Sequence, residues 1–437
     1  MKKKMSMLLL LAVTLLIPVS LFAAGQQESD GASAGMSDKP VVLTLLIDKT
    51  SQIDGFEAIA KAFEEKTGIV TELEFQPGSI EGENVIKTRL ATGEMTDLLY
   101  FNSGSLLRSL NPERNFVDLS AESYMERIAD SYKQTVTVNN KIFGVPVDAA
   151  MVGGIFYNKR VYKELGLEIP MTWDAFMDNC QVIKDAGKTA FIGSFKDDWT
   201  AQLILLADYY YVQQQVPDFA EKFTKNEAKY ATTPAALEAF KKYKEIVEKG
   251  FMNSDFLATT YDEAQARLAS GEGVHYDMGS WVLDGLSVNY PDQINDIGFF
   301  AQPDNKPGLN GTTVWIPNSV YLNKNGENVK AAKEWAEFFV SPEGIDVWMS
   351  AFPPKGPFVV KGVEFPDNIL PAVKDIIKYF DEDRTAPALE FLTPVKAPNS
   401  PAICVEVGSG MTEPLKAAEK YDRDTEKQAK QLNLPGW

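Results

Sequence analysis

The sequence predicts an α/β protein built on two doubly wound sheets. Three observations carry that prediction. From Val41 onward, short apolar strands alternate with amphipathic helices, the pattern of parallel strands joined by helical crossovers. The same alternation resumes after about residue 150. The chain's 437 residues, 45% of them apolar and 11% aromatic, are enough to build two cores.

The elements follow in order. "VVLTLLI" from Val41 reads as a buried strand. "GFEAIAKAFEEKTG" follows as a helix with Phe56, Ile59, Ala60 and Phe63 on one face and Gly68 as its stop. "IVTELEF" alternates as a second strand, "ENVIKTRLATGE" is a helix and "DLLYF" a third strand. Beyond residue 150 come strand "GGIFYN", a helix from N-cap Thr172 to Gly187, strand "TAFIGS" and long helical stretches between about 200 and 250. "YDEAQARLASGE" then predicts a helix leading into strand "GVHYDMG", and "IGFFA" a further strand. "NVKAAKEWAEFFV" packs Val329, Ala332, Ala336 and Phe339 on one helical face and stops at Ser341-Pro342. From about residue 365 the chain reads as mostly helical, and no internal repeat is visible.

The start of the chain reads as an export signal. Three lysines precede an eleven-residue apolar run, Met7 to Ile17, and the small-residue site Ala23-Ala24-Gly25. Cleavage is expected near Gly25, and the polar stretch 26–40 is expected to be a flexible tether. Because the run is shorter than the roughly 20 residues a bilayer span needs, the mature protein is expected to be periplasmic. No lipid-anchor cysteine lies near the site. Removing three lysines and no acid moves the formal charge from −18 to −21, which disfavours nucleic acid and anionic lipid as partners. Cys180 and Cys404 have the chance to pair in an oxidising compartment, but Cys180 shares a helical stripe with Phe176 and Ile183, which favours a core cysteine over half of a disulfide.

Signals for chemistry are sparse. Asp197-Asp198 and Asp381-Glu382-Asp383 are the carboxylate pairs a glycosidase would draw on, but neighbouring acids in a polar loop normally point apart into water. There is no G-x-S-x-G, H-E-x-x-H or phosphate-loop pattern, so neither a metal nor a cofactor is expected. The only histidine, His275, alternates with Val274 and Tyr276 inside a strand and reads as structural. Strand ends instead collect small polar and aromatic residues. These are Asp48, Lys49, Thr50 and Ser51; Phe101, Asn102 and Ser103; Phe195 and Trp199; Ser280 and Trp281; and Gly311, Thr312 and Thr313. Ligands of doubly wound sheets sit at the carboxyl ends of strands, and this mixture suits a polyhydroxyl ligand, with aromatic faces covering the C–H face of a sugar ring. Gly279 is expected to make the turn that presents Trp281.

Five segments carry a resemblance: "FEAIAKAFEEKTGIVTELE", "KTRLATGEMTDLLYFNS", "NNKIFGVPVDAAMVGGIFYNKRVYKELGLEIPMTWDAFMDNCQVIKDAG", "YDEAQARLASGEGVHYDMGSW" and "NVKAAKEWAEFFVSPEGIDVW". In their order and spacing they resemble the extracellular solute-binding proteins of carbohydrate ABC transporters, the group that includes maltose-binding protein. The resemblance implies two lobes of periplasmic-binding-protein type, joined by a hinge, with the ligand in the cleft between them. It places 41–148 plus about 305–360 in the N-terminal lobe and 149–304 plus about 361–437 in the C-terminal lobe. It matches Asp48-Lys49 to the acid-lysine pair that grips maltodextrin, Phe101-Asn102-Ser103 to a cleft loop and Trp281 to the tryptophan that stacks on sugar. Where the maltose binder has a cleft glutamate, this chain has Ala150, with Asp148 two residues earlier, which weighs against maltodextrin but not against a sugar. The implied function is non-catalytic capture of a sugar by a monomer and its delivery to an inner-membrane permease. The alternatives are a secreted glycan-active enzyme or a binder of a non-sugar solute, and few arginines near the strand-end loops rank an anionic ligand low.

Overall fold

The computed structural model describes residues 40–437 apart from positions 50, 51, 78, 307, 353, 355, 367 and 368. The expected signal peptide, the tether up to Lys39, Thr50 and Ser51 lie outside the described residues.

The first sheet begins with β1 (Val42–Asp48) and β2 (Val70–Gln76), parallel and in register from Val42 opposite Val70 to Asp48 opposite Gln76. The helix Ile53–Thr67 joins them. It buries Phe56, Ile59 and Phe63 on the face its apolar spacing predicts, and Gly68 ends it in the left-handed conformation at φ 74°, where its N–H reaches Glu64 O. β3 (Leu98–Phe101) runs parallel to β1 on its other side. After a small hairpin of β4 (Thr137–Val138) and β5 (Lys141–Ile142), β6 (Gly144–Pro146) forms the far edge of this sheet.

β7 (Met151–Asn158) then opens a second sheet, which also contains β8 (Thr189–Phe191), β9 (Gly273–Gly279), β10 (Ile297–Phe300) and β11 (Thr312–Trp315). The chain returns to the first sheet for β12 (Ser319–Leu322) and ends the second with β13 (Thr385–Pro387). The first sheet has the order β2-β1-β3-β12-β6 and the second β13-β11-β7-β9-β8, with β10 also on β7. Parallel pairing holds for β1 to β3 and for β8 with β9, but β7 is antiparallel to β9, β10 and β11. β7 enters directly from the first sheet without a helical crossover, and an antiparallel strand needs none.

Two short segments, 147–150 and 316–318, cross between the sheets side by side and are tied by Val147 N–H donating to Asn318 O at 2.9 Å. The return crossing follows Trp315, because β11 pairs within the second sheet. Val147 and Ala150 are buried, so apolar packing continues through the crossing. Helices Val329–Phe339 and Pro342–Ala351 pack near the first sheet, whereas Pro371–Asp381 packs on β10. Ser341-Pro342 ends one helix and begins the next, since Ser341 Oγ accepts from Gly344 N–H at 3.1 Å. Among the described residues no helix is long and apolar enough to cross a membrane.

Candidate functional site

The site is built around the end of β9. Gly279, the strand's last residue, pairs with Gly153 of β7. A Cβ on Gly279 would stand 2.1 Å from the Trp281 ring, and one on Gly153 would stand 2.7 Å from the Trp315 ring. The paired glycines thus clear the floor on which two indoles lie. Gly279 is not in a positive-φ conformation, so it supplies room for Trp281 and not the special backbone angle expected from the sequence.

Trp281 faces Trp315 nearly edge-on, with ring centres 5.6 Å apart, and Trp199 at 6.5 Å. Tyr261 backs Trp199 at 5.1 Å. All three tryptophans are half-buried and line one cavity of about 260 Å³ together with Gln202, Glu390 and Lys396. A second cavity of about 350 Å³ lies at Asn102 and Ser103, and its wall also includes Glu390 and Lys396.

Near the crossing, polar side chains form two hydrogen-bonded sets. Asp148, at φ 71°, accepts from Gln52 Nε2 at 3.0 Å and Trp348 Nε1 at 3.3 Å, so both carboxylate oxygens are oriented. The Tyr100 hydroxyl accepts from Asn318 Nδ2 at 3.0 Å, and Asn318 Oδ1 accepts from Asn102 Nδ2 at 3.2 Å. Burial holds the Tyr100 phenol well above its usual range, with Asp148 and Asp48 pushing the same way. Asp48 is half-buried at the end of β1, and Lys49 is exposed.

Other strand-end residues serve the framework. Ser280 is fully buried, its Oγ accepts from Val152 N–H at 3.2 Å, and it ties β9 to β7. Phe101 is a core residue, as is Phe195, which packs edge-on to Phe256. Thr312 Oγ1 donates to Gly153 O at 2.7 Å, while Thr313 Oγ1 donates to Ala207 O at 2.8 Å and accepts from Tyr210 N–H. Gly311 is buried, and a Cβ there would stand 2.2 Å from the Tyr210 ring. The structure therefore brings Trp199 and Trp281 to one cavity and Asn102 and Ser103 to its neighbour, while Phe101, Phe195, Ser280, Gly311, Thr312 and Thr313 pack or tie the framework. Trp315, Glu390 and Lys396 escaped the sequence reading. Trp315 carried a signal, as the last residue of an apolar strand beside Thr313; Glu390 and Lys396, in a stretch read only as helical, carried none.

His275 is fully buried, with Tyr162 Oη 2.6 Å from Nε2 and Cys180 Sγ 3.7 Å from Nδ1, and burial pushes it down to about 3. It is a neutral core residue. Cys180 and Cys404 are both buried and free. Two of the acids singled out for hydrolysis have structural partners: Asp197 accepts from Tyr261 N–H at 2.7 Å, and Glu382 pairs with Arg384. Among the described residues no cluster of His, Cys, Asp and Glu has the geometry of a metal site.

Comparison with known proteins supports this picture. The fold superposes on the apo form of RafE from Streptococcus pneumoniae with a TM-score of 0.78, covering 90% of this chain and 99% of that one at 20% identity. RafE in complex with raffinose superposes with a TM-score of 0.68 at 21% identity, covering 89% and 100%. The multiple sugar-binding protein of Streptococcus mutans is 24% identical over 290 residues, which is 65% of this chain and 67% of that protein. This alignment spans about two thirds of the relative's own length. Residues 49–346 match the bacterial extracellular solute-binding protein family, and because that stretch is most of the chain, this protein belongs to that family.

Proposed function

We propose that this protein is the sugar-capturing component of an ABC transporter, exported to the periplasm, acting as a monomer and handing its ligand to an inner-membrane permease. The observation that carries the reading is the cavity walled by Trp199, Trp281 and Trp315. Three indoles at nearly right or oblique angles cover the C–H faces of a pyranose while polar neighbours meet its hydroxyls. The names of the relatives point the same way, as the S. mutans protein is a multiple sugar binder and RafE holds raffinose. On this reading the first sheet with 41–148 and 319–351 forms one lobe, and the second sheet with 151–315 and 371–437 forms the other. On this reading the protein binds without catalysis, because its wall offers stacking surfaces and hydrogen-bond partners, while Asp197 is held by Tyr261 N–H and Glu382 is paired with Arg384.

A melting screen against neutral mono- and oligosaccharides tests the reading. At 100 times Kd a ligand that binds only the folded state adds about 2.7 kcal/mol, which raises the melting temperature by several degrees. A flat response across a broad panel, with a response to a peptide or an amino acid, would move the protein to another solute class.

A further inference from the structure

The tryptophan cavity and the Asn102–Ser103 cavity share one partition, made by Glu390 and Lys396. Their charged heads are 3.6 Å apart. That distance holds them together electrostatically but exceeds a hydrogen bond, so the carboxylate keeps acceptor sites and the ammonium keeps donors for a third group. A ligand with adjacent hydroxyls suits such a pair, because one hydroxyl donates to Glu390 while its neighbour accepts from Lys396. Bonds to charged groups are shorter and stronger than neutral ones.

The partition is also held in place. Lys396 N–H donates to Gln428 Oε1 at 2.6 Å, and Asn399 donates from its backbone and side chain to Asp424 at 2.7 and 2.8 Å. Gln428 and the buried Asp424 stand on the helix Pro414–Gln431, so a long helix fixes the loop between Leu392 and Ser400. Ser105 Oγ donates to Glu390 O at 3.0 Å and anchors the other side to the Asn102 loop. The family match ends at residue 346, so this wall lies in a stretch the shared pattern does not describe.

We infer that Glu390 and Lys396 are ligand contacts that set chain-length specificity: they hold the sugar unit adjoining the one stacked on Trp281, and the protein selects saccharides of two or more units that pass from the tryptophan cavity toward Asn102. This rests on the sugar-binding reading. A single pyranose on the tryptophans leaves the Asn102 side of the partition unfilled, whereas the next unit meets a donor and an acceptor at fixed positions on that side.

The test is titration calorimetry on the full mature protein with size series of glucose, galactose, xylose and N-acetylglucosamine saccharides, each from a monosaccharide upward. The variants are Glu390→Gln, Lys396→Met and Trp281→Ala, with circular dichroism to confirm folding. Glu390 is 35% exposed at its side chain and Lys396 61%, so neither change empties a core. The parent is expected to bind two-unit and longer ligands more tightly than monosaccharides. Glu390→Gln and Lys396→Met should each lose about tenfold toward the longer ligands and less than about threefold toward the monosaccharide. Trp281→Ala should lose binding to both. If the parent shows no preference for length, or both partition variants keep it, or they lose short and long ligands alike, the inference is wrong while sugar binding stands. If no saccharide binds the parent, the inference and the sugar reading fall together.

Discussion

Trp281 is placed by space rather than by backbone torsion. The paired Gly279 and Gly153 leave room where side chains would otherwise stand, and the indoles of Trp281 and Trp315 occupy it. Truncating a half-buried aromatic anchor removes stacking area and little core. Trp281→Ala is therefore expected to weaken sugar binding by about 2–4 kcal/mol with the fold intact, and His275→Gln to change affinity by less than about 1 kcal/mol, both read by calorimetry. A second residue-scale consequence concerns Asp277. It is buried, neither carboxylate oxygen has a hydrogen-bond partner among the described residues, and burial pushes it up to about 8, against Lys242 and with Asp208. The folded state thus holds a proton there that the unfolded chain releases near pH 4, so this site's contribution to stability falls as pH rises from about 4 to about 8 and is level beyond. Asp277→Asn is expected to stabilise the protein at pH 8.5 by an amount on the order of a few kcal/mol, with the gain vanishing near pH 4. Urea unfolding of both proteins at the two pH values measures it.

At the scale of elements, the helix Tyr261–Ser270 links local sequence to the cavity. Thr260 Oγ1 accepts from Glu263 N–H at 3.2 Å and Glu263 accepts back from Thr260 N–H at 2.7 Å, a reciprocal cap legible in "TYDE". The first residue of this helix, Tyr261, is the one that backs Trp199. Loss of the cap frays the turn that steadies one wall, so Thr260→Ala is expected to cost about 1 kcal/mol in chemical denaturation and to weaken ligand binding slightly. The helix Pro234–Glu248 behaves differently, because it buries a charge. Lys242 is almost fully buried, pairs with Asp208, donates to Pro303 O at 2.7 Å and lies 4.9 Å from the Trp173 ring centre. Its apolar stripe is visible in the sequence, yet a lysine within it has no local signature, since its partners come from residues 208 and 303.

For the whole molecule, two of the crossings between the sheets, at 147–150 and 316–318, are short and bonded to each other, which makes them a natural axis for bending. A ligand touching both Trp281 on the second sheet and Asn102 on the first gains only when the two approach, so it favours the closed arrangement by its differential affinity. Saturating sugar is expected to reduce the radius of gyration in small-angle scattering. An unchanged radius would mean that the ligand sits within one lobe.

Hydrophobic periodicity determined most of the elements, as the helix Ile53–Thr67 and the strands β1, β2, β3 and β9 show, because period and capping are local properties. It also marked Trp199 and Trp281 as aromatics at strand ends, and His275 as a strand-interior residue. The antiparallel setting of β7, the assignment of Thr312–Trp315 to the second sheet and the burial of Ser280, Thr312 and Thr313 were decided only by tertiary structure. A threonine hydroxyl reads the same whether it faces a ligand or a neighbouring carbonyl. Glu390 and Lys396 reach the cavity because the final helix pins their loop beside residues more than 280 positions earlier in the chain, and such proximity has no period or spacing in the sequence to announce it.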